Sequence, residues 1–522
     1  MATTLWHPLK QRTFRNLLIA DVVSDVGTFM QSVGAAWLMV SLNAGPLYVA
    51  LTQTAAALPF FLLALPAGAI GDIVDRRRLI LSTETWMVGI AIFLAAVTLA
   101  GLMSPALLLV LTFALSAGDA FETPTWRSIL PELVDEEDLA AASALNGIEF
   151  NFARAVGPGI AGVVIVAAGV GAAFLLNAVS FIGVLVVIVA WKRVERKRTL
   201  EAERVMEAMG AAIRYVRYSP PILRLLVRNG SFVFFASALL SLLPSLARSM
   251  KNSPLGYGLL LGAFGFGAVA GALLMQGVRS RWPTEAVVTG AIVLFGVGMI
   301  ALFAIDRYLA LFPFVLAAGS CWVIFNSVMN VAVLGQAPDW VRARVLAAYQ
   351  LVFQGSIALG STAWGFVAQR AGLPTAFLCA GIGMLGTAVL ALFLRMPDAD
   401  GNKGSWDPWR IPSVDRSIEA EIVEPAGVLV TIEYEPEAAQ TAAFLLAVRQ
   451  LRRIRRRDGA RRWGIFQDVE RPQLYLETFV LPSWLEHLRQ HERLTQADKE
   501  TFERLSKTLR KPSDVRHRVS LE

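Results

Sequence analysis

The sequence predicts an all-α membrane protein with twelve transmembrane helices in two pseudo-symmetric six-helix bundles, followed by a soluble α+β domain. Three observations support this. The chain is 55 % hydrophobic and 17 % charged over 522 residues, which is more apolar than a soluble protein of this length. Apolar runs near the spanning length of about 20 residues recur between residues 14 and 395. After residue 395 these runs stop, and patterns typical of a soluble domain begin.

Basic residues fall on one face of the predicted bundle. The basic loops lie at 76–78, 192–198, 279–281 and 342–344, whereas the loops at 43–46 and 168–171 carry almost no charge. Arg248, Lys251 and Arg307 are exceptions on the second face. The positive-inside rule therefore predicts a plasma (inner) membrane protein with both termini in the cytoplasm. The predicted spans are 14–41, 47–70, 79–101, 106–125, 143–168, 172–191, 221–245, 255–277, 284–304, 307–333, 345–370 and 373–395.

An internal repeat supports the six-plus-six division. The segment 131–141 matches 338–348 at an offset of 207 residues, with Pro, an acid, Val, Leu and two Ala recurring. Parallel halves of this kind are typical of transporters. Residues 208–218 of the inter-bundle loop are either an amphipathic surface helix or only a tether. The expected organisation is an N-terminal bundle at 1–191, a loop at 192–220, a C-terminal bundle at 221–395, a linker at 396–425 and a cytoplasmic domain at 426–522.

The turn after the second span carries a glycine, an acid four residues later and clustered arginines. This turn resembles the signature turn of the major facilitator superfamily, although Ile73 and Asp75 depart from it. The Asp-Arg-Arg-Arg run at 75–78, with the segments 130–134 and 174–181, is similar to the enterobactin-exporter and macrolide-efflux branch. The resemblance covers roughly residues 10–395 and implies a secondary transporter that works by alternating access.

The turn is interpreted as one half of a cytoplasmic gate. Asp72 can bind a helix N-terminus or an arginine of the facing half, and Arg279 stands 207 residues after it. Asp135 and Asp138 can pair with arginines across the pseudo-twofold axis, although exposed pairs contribute only about 0–1 kcal/mol each. The alternative is a solvated loop that only sets topology. The gate candidates are Gly68, Asp72, Arg76, Arg77, Arg279, Arg342 and Arg344.

The fifth span contains Gly157, Pro158 and Gly162. These residues resemble the motif that marks export-type members of the superfamily. Small residues let helices approach closely, and proline bends a helix. Ordinary helix packing is the alternative interpretation.

Ionisable side chains inside the predicted spans are candidates for proton coupling. A charge at mid-membrane usually faces water or a partner, and Asp21 and Asp25 lie one turn apart on one helix face. We expect one or two carboxylates, first of all Asp25 and Glu149, to take up and release the coupling proton. The alternative is a structural ion pair of Arg154 with Glu149 or Asp25. The candidates are Asp21, Asp25, Asp119, Glu122, Glu149 and Arg154.

Polar residues scattered through the spans are candidates for a central substrate cavity, since an amphipathic ligand needs a few polar groups among aromatic ones. Helix–helix hydrogen bonds are the alternative for any one of them. The cavity candidates are Gln31, Trp37, Gln53, Asn177, Asn326, Asn330 and Gln354. No nucleophile–base pair, phosphate-binding loop or ATP motif is recognised, so neither an enzyme nor a cofactor is expected, and an ion or solute gradient must drive transport.

The tail shows the order β-α-β-β-α-β, which predicts a ferredoxin-like domain, with one long helix at 482–509. Its layout resembles domains of the antibiotic-biosynthesis monooxygenase type. His487 and His491 have a metal-binding spacing, but no third ligand is nearby in sequence, so no metal site is predicted. Aromatic residues are expected in the tail's core or in a homodimer seam. Eight arginines predict a basic patch for anionic lipids or a solvated face: Arg449, Arg452, Arg453, Arg455, Arg456, Arg457, Arg461 and Arg462.

The sequence as a whole predicts proton-coupled export of a small amphipathic molecule such as a siderophore, antibiotic or metabolite. The expected partners are the substrate, protons and the lipid bilayer, and no nucleic acid, because the membrane part carries its basic residues in loops on one side. The alternative is a membrane-anchored enzyme or sensor whose tail carries the chemistry. Twelve spans with internal carboxylates are more than an anchor requires.

Overall fold

A computed structural model of the chain describes residues 5–191, 213–250, 253–305, 307–338, 341–397, 427–492, 494 and 496–519. Twelve helices in these ranges are long and apolar enough to cross a membrane, which confirms the predicted fold class. They are α1 (Arg12–Ser41), α2 (Gly45–Ile73), α3 (Arg76–Leu99), α4 (Pro105–Leu133), α5 (Leu139–Ala168), α6 (Val170–Ala190), α7 (Pro220–Ser249), α8 (Pro254–Arg281), α9 (Thr284–Ala304), α10 (Leu311–Gln336), α11 (Arg342–Ala371) and α12 (Leu373–Phe393).

Local sequence explains where several of these helices begin and end. Asp75 caps α3, because its side chain accepts a 2.9 Å hydrogen bond from the backbone N–H of Arg78. Gly169 separates α5 from α6 at φ 83°, and Gly372 separates α11 from α12 at φ 88°. Only glycine adopts this conformation without strain, so both halves use the same device between their last two helices. Helix α4 continues to Leu133, two turns beyond its predicted end at residue 125.

Glycines bring α5 of the first half against α8 of the second. A Cβ atom at Gly258 would lie 2.5 Å from the carbonyl oxygen of Pro158, and one at Gly162 would lie 3.0 Å from the Cα of Leu255. The two backbones therefore touch, as in small-residue packing of membrane helices. On the same helix a Cβ at Gly159 would meet no atom within 4 Å.

Helices α2 and α11 form a second contact between the halves. The hydroxyl of Thr54 lies 3.1 Å from the carbonyl oxygen of Ala358 and 3.0 Å from the hydroxyl of Thr362. Trp37 of α1 stacks on Tyr257 of α8 at 6.4 Å between ring centroids. These contacts lie toward the helix ends that adjoin residues 42–44 and 250–253, so they hold the halves together at that end of the bundle.

The described chain forms two compact units, and the second joins the tail domain to residues 330–349 and to the segment before α7. The tail contains β1 (Val428–Tyr434), α13 (Thr441–Arg457), β2 (Arg462–Gln467), β3 (Tyr475–Leu481), α14 (Trp484–Glu492), α15 (Gln496–Ser506) and β4 (Asp514–Val519). The sheet has the order β2-β3-β1-β4 with antiparallel neighbours. This is the ferredoxin-like arrangement that the sequence predicted.

The long helix predicted at 482–509 is wrong, because two shorter helices, α14 and α15, occupy this region. Leu494 lies between them and is buried in the core of the tail. The buried positions on both sides of Leu494 keep helical spacing, so periodicity alone does not reveal the break. The sequence at 495–498, Thr-Gln-Ala-Asp, resembles a capping box and could have indicated the second start.

An acidic and a basic side chain lie fully buried inside the tail. Glu477 accepts hydrogen bonds from the hydroxyl of Tyr434 at 2.7 Å, from Nε1 of Trp463 at 2.8 Å and from Nε of Arg455 at 3.2 Å. Both charged side chains are 0 % exposed. Burial, together with the neighbouring Glu477 carboxylate, raises the pKa of Tyr434 well above its usual range.

The predicted arginine patch is therefore wrong in part, since Arg455 and Arg457 point into the structure and not to a surface. Arg457 forms ion pairs with Asp458 and Asp498 at 2.7 Å each. Burial alone favours its neutral form, but the two carboxylates outweigh burial and raise the pKa of Arg457 above its usual range. Arg452 and Arg453 are exposed, as expected.

The segment 213–218 is helical and packs within the second unit, whereas the remainder of the predicted amphipathic helix lies outside the described residues. Tyr215 is fully buried, and its hydroxyl donates to the carbonyl oxygen of Gln336 at 3.4 Å. The guanidinium of Arg457 lies 5.6 Å from the ring centroid of Tyr215. Arg214 and Glu486 form an ion pair at 3.6 Å. The tail thus contacts the segment that leads into α7.

We predict that Gly162→Leu lowers the thermal stability of the purified protein, because a larger side chain must separate α5 from α8. Overpacking of this kind costs about 1–3 kcal/mol. The measurement is thermal unfolding in detergent. Gly159→Leu, on the same helix but facing open space, is the matched control and should unfold at the wild-type temperature. Equal unfolding temperatures for the two variants would contradict this packing.

We predict that Arg455→Met destabilises the tail by about 3–5 kcal/mol, because it leaves the buried Glu477 carboxylate without its cation. Hydrogen exchange of tail peptides in the full-length protein measures this directly. Arg453, two residues earlier on the same helix, is exposed, so Arg453→Met removes only a surface charge and should leave exchange unchanged. Wild-type protection in Arg455→Met would show that the ion pair does not stabilise the tail.

Candidate functional site

A cavity of about 250 Å³ lies between α1, α2, α4, α6 and α11. Four of the predicted cavity residues line it: Gln31, Gln53, Asn177 and Gln354. The remaining lining residues are Thr28, Ser32, Ala35, Ala56, Ala57, Phe60, Thr112, Leu115, Ser116, Asp119, Phe181 and Ile357. Side chains from the first half thus meet α11 of the second half around one space. The volume is slightly below the roughly 300–1,000 Å³ of typical ligand sites.

Hydrogen bonding fixes one wall of this cavity. The side-chain amide of the fully buried Asn177 donates to the amide oxygen of Gln31. Ser180 donates to the backbone oxygen of Asn177 at 2.7 Å. The lining thus combines amide and hydroxyl groups with the rings of Phe60 and Phe181. This composition suits a small amphipathic ligand.

The other three cavity candidates lie elsewhere. Trp37 is buried against Tyr257. The side-chain amide of Asn326 donates to the carbonyl oxygen of Trp322 in its own helix at 2.8 Å. Asn330 is half-buried near the end of α10. None of the three lines the described cavity, so spacing on isolated helices did not separate cavity residues from packing residues.

Carboxylates from four helices of the first half form a cluster next to this cavity. Asp25 of α1 and Glu149 of α5 are direct neighbours, and so are Glu84 of α3 and Glu122 of α4. The hydroxyl of Thr83 lies 3.4 Å from Glu122. Asp119 links the cluster to the cavity that it lines. The carboxylate cluster consists of Asp21, Asp25, Glu84, Asp119, Glu122 and Glu149.

Glu84 was missed by sequence reasoning. It is 2 % exposed and lies next to Glu122, so it belongs to the cluster as the predicted residues do. It sits in the polar run Ser-Thr-Glu-Thr at 82–85, near the start of the third span. An intramembrane carboxylate is by itself a functional-site hypothesis, and applying that rule to every span would have found it.

Arg154 does not pair with the cluster in this conformation. Its guanidinium lies 5.8 Å from the ring centroid of Phe264 on α8. Within the described part of the chain, none of the six carboxylates forms an ion pair with Lys or Arg. The expected Arg154 ion pair is thus not formed here, and the acids face one another.

The turn between α2 and α3 is tied to neighbouring helices through its arginines. Arg76 donates to the backbone oxygen of Ser128 at 2.9 Å and pairs with Glu132 at 2.8 Å. Arg77 donates to the backbone oxygens of Ile188 and Val189 at 3.1 and 2.7 Å. The arginines therefore hold the ends of α4 and α6. At Gly68 and Asp72 the structure describes only the helical backbone of α2, so the gating role of these two residues stays a prediction.

The remaining gate candidates are described individually. Arg279 is exposed in the last turn of α8. Arg342 is exposed, and its Nε donates to the carbonyl oxygen of Ala337 at 3.4 Å. Arg344 is half-buried in the first turn of α11. The gating role of these residues stays a prediction.

Asp135 and Asp138, which the sequence suggested as gate partners, contact the N-terminal segment. Asp138 lies 2.8 Å from Nδ1 of His7. Asp135 accepts a 3.0 Å hydrogen bond from the side-chain amide of Gln11. These contacts fasten the segment before α1 to the junction of α4 and α5. Pairing with the arginines of α11 stays a prediction.

The export-type motif lies where the two halves meet. A Cβ at Gly157 would approach Cβ of Phe29 on α1 at 2.7 Å, while Pro158 and Gly162 face Gly258 of α8. The three residues are thus packed on two sides, by α1 of their own half and by α8 of the other half. This position suits a helix that must slide or tilt against its neighbours.

Comparison with known proteins shows the family and the relatives of this chain. The transmembrane secretion effector family matches residues 3–522. The chain is 28 % identical over 410 residues, 74 % of its length and 96 % of the relative's, to the multidrug efflux pump Tap of Mycolicibacterium fortuitum. It is 24 % identical to the staphyloferrin A transporter of Staphylococcus aureus, over 71 % of this chain and 93 % of that one. It is 26 % identical to the enterobactin exporter EntS of Salmonella typhi, over 63 % of this chain and 77 % of the exporter.

Solved structures show the same fold. A nucleoside transporter NupG mutant aligns with a TM-score of 0.61 at 12 % identity, covering 73 % of this chain and 100 % of that one. A bacterial homologue of the lysosomal transporter Spinster, in an inward-facing conformation, aligns at 0.57 and 14 % identity over 74 % of this chain and 96 % of that one. The protein is therefore a multi-pass transporter of the plasma membrane. It belongs to the transmembrane secretion effector family of the major facilitator superfamily.

Proposed function

We propose that this chain exports a small amphipathic molecule across the cytoplasmic membrane in exchange for protons. The observation that carries the proposal is Asp119, which belongs both to the wall of the central cavity and to the carboxylate cluster. A change in protonation of the cluster thereby changes the charge of the cavity that binds substrate. Such a shared residue is what coupling of two fluxes requires.

The cluster is suited to bind protons. Neighbouring carboxylates without a cation cannot all be ionised in a medium of low dielectric, so they exchange protons as a group. Asp25 and Glu149 form a pair between α1 and α5, and Glu84 and Glu122 form a pair between α3 and α4. Asp119 passes the charge change to the cavity wall.

Alternating access then requires that the halves separate at one end and close at the other. In this conformation the contacts of Thr54 with Ala358 and Thr362, and the stack of Trp37 on Tyr257, close one end. The distribution of basic loops supports placing that end on the outer side of the membrane, so in this proposal the described conformation is closed to the outside. Opening outward must break these contacts, and the paired glycines of α5 and α8 allow the two helices to move past one another.

The relatives support the substrate class. Their names describe a multidrug efflux pump, an enterobactin exporter and a staphyloferrin A transporter. We therefore infer that the substrate is a siderophore, an antibiotic or a metabolite of similar polarity. A ligand of that size needs more than about 250 Å³, so the cavity must widen when substrate binds.

We predict that a thermal-shift screen of the purified protein with siderophores, macrolides and metabolites finds a compound that stabilises it. Ligand at 100 times its dissociation constant stabilises the folded state by about 2.7 kcal/mol. Gln354→Ala removes a polar group of the cavity and should abolish the shift. Asn151→Ala, an exposed amide on α5, is the control and should keep it. A compound that stabilises wild type and Gln354→Ala equally binds outside the cavity, contrary to the proposal.

We predict that Asp25→Asn and Glu149→Gln each reduce pH-gradient-driven transport of that compound to the level of empty vesicles, while the thermal shift by the compound persists. The amides keep the size of the side chains but bind no proton. Proteoliposomes with an imposed pH gradient give the measurement. Glu136→Gln, an exposed carboxylate between α4 and α5, should transport normally. Full gradient-driven transport by both cluster variants would exclude these two carboxylates from coupling.

A further inference from the structure

A second cavity lies on the outer surface of the bundle, in the angle between α1, α5 and α6. Its volume is about 550 Å³, and apart from Asn16 and Ser180 its lining is apolar. Ile19, Val23 and Val179 on its rim are all more than half exposed. In a membrane-spanning bundle such side chains face lipid. The groove is therefore open to the hydrocarbon of the bilayer.

The groove follows α1 from Asn16 to Met30. At about 1.5 Å per residue, this stretch is roughly 20 Å long. One leaflet of a hydrocarbon core about 30 Å thick measures about 15 Å, so the groove is long enough to hold an acyl chain that is extended across its leaflet. It is too long and too uniformly apolar for a compact polar solute.

The groove is closed off from the central cavity. The Gln31–Asn177 hydrogen bond lies behind its floor, and both residues line the central cavity but not the groove. Gly27 on the floor touches Ser180 and Asn177 so closely that no larger residue fits there. The groove is thus a separate site and not an entrance branch of the substrate cavity.

Three arginines lie at the end of the groove that adjoins the N-terminus of α1. Arg12 stands four residues before Asn16, so it continues the groove-facing stripe of α1. Arg15 is exposed beside it. Arg77 donates to the backbone oxygens of Ile188 and Val189, directly after the lining residue Val187.

Two acids near this end contact the segment that precedes α1. Asp135 accepts from Gln11, and Asp138 contacts His7. In the described part of the chain neither Arg12 nor Arg15 forms an ion pair with a carboxylate. The open end of the groove therefore presents two exposed arginines, neither held in a described ion pair, at the level where a headgroup would lie.

We propose that this groove binds one anionic phospholipid, with an acyl chain between α5 and α6 on the floor formed by α1 and the headgroup at Arg12 and Arg15. The apolar channel selects the chain, and the arginines select the negative headgroup. Arginines near the membrane surface attract anionic lipid headgroups. The lipid would belong to the leaflet that contains the N-terminal end of α1.

Gly183 offers a substitution that fills the groove without disturbing the protein. It lines the groove, and a Cβ there would meet no atom within 4 Å. Gly89 on α3 is likewise exposed with open space around it but does not line the groove. Gly183→Leu and Gly89→Leu therefore add the same side chain inside and outside the proposed site.

Native mass spectrometry of the detergent-purified full-length chain tests the proposal, with dioleoylphosphatidylglycerol and dioleoylphosphatidylcholine added in steps. We expect one phosphatidylglycerol to bind wild type and Gly89→Leu in preference to phosphatidylcholine, and Gly183→Leu to lose this bound lipid. Arg12→Ala should weaken phosphatidylglycerol binding about fivefold, equivalent to about 1 kcal/mol. Arg281→Ala, an exposed arginine at the end of α8, should not.

Each other outcome overturns part or all of the proposal. Equal binding of the two lipids to wild type would exclude recognition of the headgroup. Equal phosphatidylglycerol binding to Gly183→Leu and Gly89→Leu would exclude the groove as the site. Loss of phosphatidylglycerol from Arg281→Ala as well as from Arg12→Ala would reduce the effect to general surface charge. Thermal unfolding of each variant checks that it is folded.

Discussion

Carboxylates held inside a membrane bundle without a cation constrain the first half of this protein. A charged side chain at the centre of a bilayer costs several kcal/mol, and six acids from α1, α3, α4 and α5 face one another here. The surrounding helices shield them from lipid, and neighbouring carboxylates in a medium of low dielectric cannot all be ionised. The close packing of α1 against α5 and of α3 against α4 is therefore a condition for the cluster and for any proton exchange by it.

The second half has the same fold but different chemistry. At the 207-residue offset, Asp25, Asp119 and Glu122 correspond to Phe232, Asn326 and Met329. Phe232 stacks on Phe325 at 3.8 Å and lies 6.1 Å from Trp322. One half thus places buried carboxylates where the equivalent region of the other half has a buried aromatic cluster. The central cavity shows the same asymmetry, since only Gln354 and Ile357 of its described lining come from the second half.

Sequence predicted the architecture well because membrane helices depend on a property that is local in the chain. About 20 apolar residues specify a span wherever they occur, and the glycines at 169 and 372 mark equivalent helix junctions. The cavity was predicted only in part, because its membership depends on how five helices meet. Gln31 and Gln354 converge on one space, while Asn326 bonds to its own helix. Nothing in the spacing of a single helix distinguishes these cases. Glu84 differs from them, because a carboxylate inside a predicted span is visible in the sequence itself.

Tyr215, in the segment before α7, contacts both the tail and the end of α10. Tyr215 binds the last residue of α10 through its hydroxyl and lies beneath Arg457 of the tail through its ring. Arg457 is itself fixed by Asp458 and Asp498, so it cannot follow a moving partner without breaking charged hydrogen bonds. A shift of the end of α10 relative to the segment 213–218 must therefore separate either Tyr215 from Gln336 or Tyr215 from Arg457. Because Tyr215 is fully buried, that separation has a free-energy cost.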